Sequence, residues 1–219
     1  MPAKVEVRTR SSLRTKMVWG VLCAASVALV GTLSILDSGN PGAGAPGVSL
    51  SPLMSIDRPG RGVDAIFNTD RPIEKGRWDS IVIVHSGSPA GSPATIGAQH
   101  RTIGYDSMGF HFLIGNGTGM ADGEIHLGHR WIAQSRGAEL AGIDSKDSSR
   151  AIEICLVGDG DRRPFSDEQI RYLALIVDAL ADKLGIEKDR VYLHDDLAAT
   201  TSPGRYFPRA SFRELLASL

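Results

Sequence analysis

Three kinds of hydrophobic pattern divide the chain. Met17 to Leu36 is an uninterrupted apolar run of 20 residues without charge. A helix of that length spans about 30 Å, the hydrocarbon thickness of a bilayer. A second pattern is the short β-branched run. Ser80-Ile-Val-Ile-Val-His85 and Ala151-Ile-Glu-Ile-Cys-Leu-Val157 read as strands buried on both faces, with Gly109–Ile114, Glu124–His129 and Val191–His194 as further strands. The third is the 3.6-residue period after Ser166-Asp-Glu-Gln169, a capping box. There Ile170, Leu173, Ala174, Val177, Leu180 and Leu184 fall on one face, and Gly185 suits the C-terminal cap. Pro93 is placed to open a helix over 93–101, and Ser211–Glu214 reads as the capping box of a last helix.

Strands alternating with helices predict an α/β fold, a central sheet flanked by helices. The apolar run predicts an N-terminal transmembrane helix before it. Residues 1–16 are basic, with five cations against Glu6, and that flank stays on the cytoplasmic side. The expected order is a basic N-terminus (1–16), a signal anchor (17–36), a linker (37–62) and a folded domain (63–219). The linker is inferred from ten Gly or Pro among residues 38–62. A cleaved signal peptide is the alternative to the anchor, although its apolar region is usually shorter, ~7–15 residues. Either places the folded domain outside the cytoplasm.

Composition adds limits. Net charge is −1, which gives no sign of nucleic-acid binding. Of the two cysteines, Cys23 lies in the apolar run, so the folded part holds only Cys155 and no internal disulfide. Leu22 stands before Cys23 where lipid attachment favours a small residue. Cys155, inside an apolar strand, reads as a small packing residue.

His85 and His194 each end a buried strand. Two neutral imidazoles converging at a sheet edge can hold zinc, with room for a third protein ligand and a water. A structural histidine is the plainer reading of each alone.

The residues around them form an ordered series: Trp78–Gly87, His100, Gly104–Ile114, Asp122–Trp131, Gly137-Ala138, Gly142, Ile154–Asp159, Phe165–Gln169, His194-Asp-Asp196 and Ser202-Pro-Gly204. Over about residues 76–208 this series resembles the zinc N-acetylmuramoyl-L-alanine amidase (type 2) and peptidoglycan recognition protein family. The resemblance implies a mixed α/β sheet with flanking helices and a peptidoglycan or muropeptide partner. It also implies hydrolysis of the muramoyl-L-alanine amide by a zinc-activated water.

By resemblance His85 and His194 match two zinc ligands, and Ser202 stands where a Cys or Asp completes the set. A hydroxyl is neutral near pH 7 and a poor zinc ligand. In the related recognition proteins a Ser here accompanies loss of hydrolysis. Phe110 stands where many members carry a catalytic Tyr, and Thr200 where some carry an oxyanion-stabilising Lys. Phe110, Thr200 and His100 are the expected substrate contacts, His100 as one wall of a peptide groove or as a structural residue.

Glu153 stands where the family has Gly, two positions before Cys155, where some amidases hold a catalytic Glu. It is a candidate general base, or a solvated or ion-paired carboxylate. Asp195 and Asp196 are possible substitute ligands. His111 reads as buried, and His126 and His129 as no second metal pair. Arg162 and Arg163 could meet stem-peptide carboxylates or be solvated loop charges. Three functions are open: an amidase, if a metal is held by His85 and His194; a peptidoglycan-binding module that has lost its chemistry; or a structural envelope protein that uses the fold for another partner.

Overall fold

The computed structural model describes residues 47–50, 63–138 and 140–219. In chain order the strands are β1 (Gly47–Leu50), β2 (Ser80–His85), β3 (Phe112–Ile114), β4 (Ile125–Gly128), β5 (Ala151–Leu156) and β6 (Val191–Leu193). The helices are α1 (Pro93–Thr102), α2 (His129–Ile132), α3 (Ser145–Ser148), α4 (Asp167–Leu184), α5 (His194–Leu197) and α6 (Arg209–Ser218). The strands form one mixed sheet in the order β1-β4-β3-β5-β2-β6. β5 pairs in parallel with both β2 and β3, and β2 in parallel with β6, whereas β4 is antiparallel to β1 and β3.

β2 and β5 are central, which is why their sequences are apolar on both faces. One face presents Ile81, Ile83, Phe112, Ile152, Ile154 and Leu156 to Leu173, Ile176, Val177 and Leu180 of α4 and to Phe212 and Leu216 of α6. The opposite face presents Val82, Val84, Leu113 and Cys155 to Ile96, Met108, Phe110 and Leu140. α4 begins at the predicted cap: the Ser166 hydroxyl accepts from the Gln169 N–H at 3.0 Å, and the Gln169 side chain accepts from the Ser166 N–H. It ends at Gly185 with φ +69°, a left-handed conformation that glycine adopts without steric cost. Ser92 and Pro93 start α1 in the same manner, with Thr95 closing the capping box.

Several expectations are corrected. A fold class that includes a membrane-spanning helix is not what the structure shows: among the described residues no helix is long and apolar enough to cross a membrane. The fold is the mixed α/β sheet with its helices, and residues 17–36 lie outside the described residues. The Gly/Pro-rich stretch contains β1, which adds an antiparallel edge strand to β4. Gly47–Leu50 holds no Pro, so each of its N–H groups can donate. The last helix starts at Arg209, directly after the buried Phe207 and Pro208, so Ser211 lies within it rather than capping it. His194 opens the short helix α5 rather than ending a strand. As a result Asp195 and Asp196 do not alternate across a sheet. Arg209 pairs with both carboxylates, at 2.8 Å for Asp196.

Candidate functional site

The C-terminal ends of β2 and β6 bring His85, His194 and Ser202 together. Strand β2 ends at His85, and the parallel pairing Ile83↔Leu193 sets His194 beside that end. The chain then returns through α5 and Thr200. The Asp195 N–H donates to the Ser202 carbonyl at 2.8 Å, and Ser202 N–H donates to the Thr200 hydroxyl at 3.3 Å. Thr201 is tied in turn to Asp161. That bond is the main reason the Asp161 carboxyl titrates below its ordinary range. Ser202 and His194 are buried, while His85 is half-buried.

The hydrogen bonds decide what these groups can ligate. The Ser202 hydroxyl accepts from the backbone N–H of His85 at 3.0 Å. The His85 Nδ1 accepts from the Gly160 N–H at 3.0 Å, so the proton of the neutral ring sits on Nε2. Burial lowers the His85 pKa, and Asp159 and Asp161 oppose that shift, as does a hydrogen bond to the Pro203 backbone. The His194 Nε2 lies 3.0 Å from the Ala141 carbonyl, which can only accept, so that nitrogen carries the proton.

A zinc-bound imidazole presents a lone pair to the metal and donates its other N–H outward. His194 meets that requirement through Nδ1. His85 does not: its Nδ1 lone pair is committed to Gly160, and its Nε2 holds the proton. Ser202 adds no charge, and among the described residues no group of three or more His, Cys, Asp or Glu side chains could hold a metal. The residues present therefore do not fit a three-ligand zinc centre.

The other candidate residues lie elsewhere on the sheet. His100, from α1, accepts from the Gly109 N–H at 2.8 Å and sits edge-on to Phe110, with ring centres 5.0 Å apart. Its pKa is lowered by burial and then by Arg130. Phe110 is buried at 8% exposure, with a ring that fills the core rather than lining an open wall.

Glu153 is fully buried on the face that holds Val82 and Cys155, neither solvated nor ion-paired. Neither of its carboxyl oxygens has a hydrogen-bond partner among the described residues. Burial raises its pKa well above the usual carboxylate range, with Arg130 opposing. A carboxyl held neutral is poorly suited to act as a base. The reason Glu153 fits at all is Gly137, since a Cβ there would overlap both carboxyl oxygens.

His111, beside Glu153, is structural. Its Nδ1 accepts from the Glu153 N–H at 2.9 Å and its Nε2 donates to the Ser135 carbonyl at 3.0 Å. Burial lowers its pKa to about 3, and that of His126 to about 4.

Sequence reasoning did not anticipate Gly160, which fixes the His85 tautomer. The tight approach of Gly160 and Gly204 leaves no room for a side chain at either position. The signal available was the Gly158-Asp-Gly160 sequence directly after the apolar run 151–157. A cleft of about 390 Å³ opens between the ends of β3 and β5 and the start of α4, and its lining includes none of His85, His194 and Ser202. Asn116, Asp159, Arg162, Arg163 and Phe165 are among its lining residues, and Arg162 pairs with Asp159 at 3.2 Å.

The fold has known counterparts. The sequence profile of the Amidase_2 family, N-acetylmuramoyl-L-alanine amidase, matches residues 74–205. No curated protein matches the chain by sequence. Among solved structures, the endolysin N-acetylmuramoyl-L-alanine amidase LysCS from Clostridium intestinale superposes with a TM-score of 0.53 at 24% identity, covering 65% of this chain and 87% of its own. Human PGRP-IBETAC, solved in complex with glycosamyl muramyl pentapeptide, gives 0.51 at 18% identity, covering 65% and 86%. The ectodomain complex of the peptidoglycan recognition proteins LCa and LCx, bound to tracheal cytotoxin, gives 0.50 at 21%, covering 65% and 86%. With its profile matched across residues 74–205, more than half of its length, the chain belongs to the N-acetylmuramoyl-L-alanine amidase family.

Proposed function

We propose that this domain binds peptidoglycan or its muropeptide fragments outside the cytoplasm without hydrolysing them. The observation that carries the reading is the pair of backbone donors at the strand end. The His85 N–H occupies the Ser202 hydroxyl and the Gly160 N–H occupies the His85 Nδ1. Groups that would ligate zinc are engaged in holding the loops at 158–161 and 200–204 together. The Phe110 and Thr200 side chains also lack the phenol and the ammonium that assist hydrolysis in the family. Membership of the family supports peptidoglycan as the target, and the human structure contains a muramyl peptide.

The cleft at the ends of β3 and β5 is suited to such a ligand. Asn116 can meet peptide amides, Phe165 offers an apolar wall, and Arg163 at its lip can meet a stem-peptide carboxylate. The test is calorimetric titration of the full chain with a soluble muropeptide, with and without a chelator. The expected result is saturable binding unchanged by the chelator and weakened about tenfold or more in Arg163→Glu. This corresponds to the loss of one charged contact and its replacement by repulsion. Binding abolished by chelator would overturn the reading.

A further inference from the structure

The loop between β5 and α4 has two sides. Every residue from Val157 to Ser166 lines the cleft at the ends of β3 and β5 except Gly160 and Asp161. Those two meet the loop that follows α5, and hydrogen bonds tie them to it. The Asp161 carboxylate accepts from the Thr201 hydroxyl, and also from the Arg205 N–H at 3.3 Å. The Asp161 carbonyl accepts from the Arg205 Nε at 3.0 Å, and the Gly160 carbonyl from the Tyr206 N–H at 2.8 Å. The two backbones approach closely. A Cβ at Gly160 would overlap the Pro203 carbonyl oxygen, and one at Gly204 would overlap the peptide joining Gly160 to Asp161.

Asp161 also belongs to the turn that carries the charges of the cleft. Its N–H donates to the Asp159 carboxylate at 3.1 Å, and the Asp159 carbonyl accepts from the N–H groups of Arg162 and Arg163, both at 3.0 Å. The loop is fixed at both ends. Gly158 donates to the Ser86 hydroxyl at 3.0 Å, and the buried Phe165 packs beside Gly158, Gly160 and Phe207. Arg162, Arg163 and Pro164 stand between these ends and are exposed. An exposed turn buries little apolar surface, so its shape depends on hydrogen bonds, and so does the freedom left to Arg163.

We propose that Asp161 is a positioning residue of the cleft: braced by Thr201 and Arg205 from outside, it holds the 159–163 turn so that Arg163 meets an anionic group of the ligand. This role rests on the reading of the cleft as a muropeptide site and names the residue that preforms it. A loop that must be ordered on binding lowers affinity by the fraction of free protein already in the competent arrangement. A brace on the far side of the loop raises that fraction without touching the ligand.

The experiment is calorimetric titration of the full chain with a soluble muropeptide. Asp161→Ala should weaken binding about fivefold or more, as expected when the competent turn becomes a minority state. Thr201→Val removes the donor from an exposed position and should have the same effect, whereas Thr201→Ser keeps the hydroxyl and should bind as the wild type does. A general structural role for Asp161 would not depend on Arg163. The decisive comparison is therefore made in Arg163→Glu, where adding Asp161→Ala should cost no further affinity. Unchanged binding in Asp161→Ala, or a full additional loss in the Arg163→Glu background, would overturn the proposal alone. A wild type that binds no muropeptide would overturn the reading of the cleft, and the role of Asp161 with it.

Discussion

At the residue scale, the strand-end site shows what a motif does and does not specify. The positions of His85, His194 and Ser202 follow from the family series, and the fold brings them together. Their tautomers and donors do not follow from it. These depend on Gly160, distant in sequence from both histidines and close to His85 only because the β5–α4 loop folds back over β2. Glu153 was legible as an anomaly but not as a fully buried, neutral group, because its burial depends on Gly137, another residue remote in sequence. That dependence can be tested. Gly137→Ala should destabilise the domain by about 2 kcal/mol or more, the overpacking cost of a Cβ in a filled site. The double variant Gly137→Ala, Glu153→Ala should recover most of the loss in chemical denaturation. Additive losses would mean that the two residues are not in contact.

At the element scale, α4 was the most legible part of the molecule, since its cap, apolar stripe and terminal glycine agree. Its Ser166 cap should be worth ~1 kcal/mol, read as the loss of stability in Ser166→Ala. The hydroxyl also donates to Asp122 at 2.5 Å, so a larger loss would report that second bond to the β3–β4 connection. The strands were legible in position, but β3 starts late and β6 stops early. β3 is confined to Phe112–Ile114 because the His111 ring, rather than a ladder partner, satisfies the Glu153 N–H. β6 stops at Leu193 because Asp196 accepts the Leu193 N–H at 2.9 Å and starts a helical turn. The last helix was placed late because a capping-box pattern at Ser211 competes with Pro208, and the proline, preceded by the buried Phe207, sets the start. β1 was unreadable in a run of Gly and Pro, since an edge strand is specified by its partner β4 rather than by its own composition.

At the scale of the whole molecule, the sheet, its flanking helices and the family were accessible from the sequence, because central strands and capped helices carry their own patterns. The state of the site was not, because it is a property of hydrogen bonds between loops that the fold juxtaposes. The account joins a retained fold to an altered strand-end centre. Its central claim is tested most directly by the zinc content of the purified full chain, measured by elemental analysis, with release of stem peptides from peptidoglycan assayed on the same sample. The account predicts well under one zinc per chain, no release, and retention of the protein on the peptidoglycan. About one zinc per chain together with stem-peptide release would contradict it, and would mean that His85 gives up its bond from Gly160 to hold a metal.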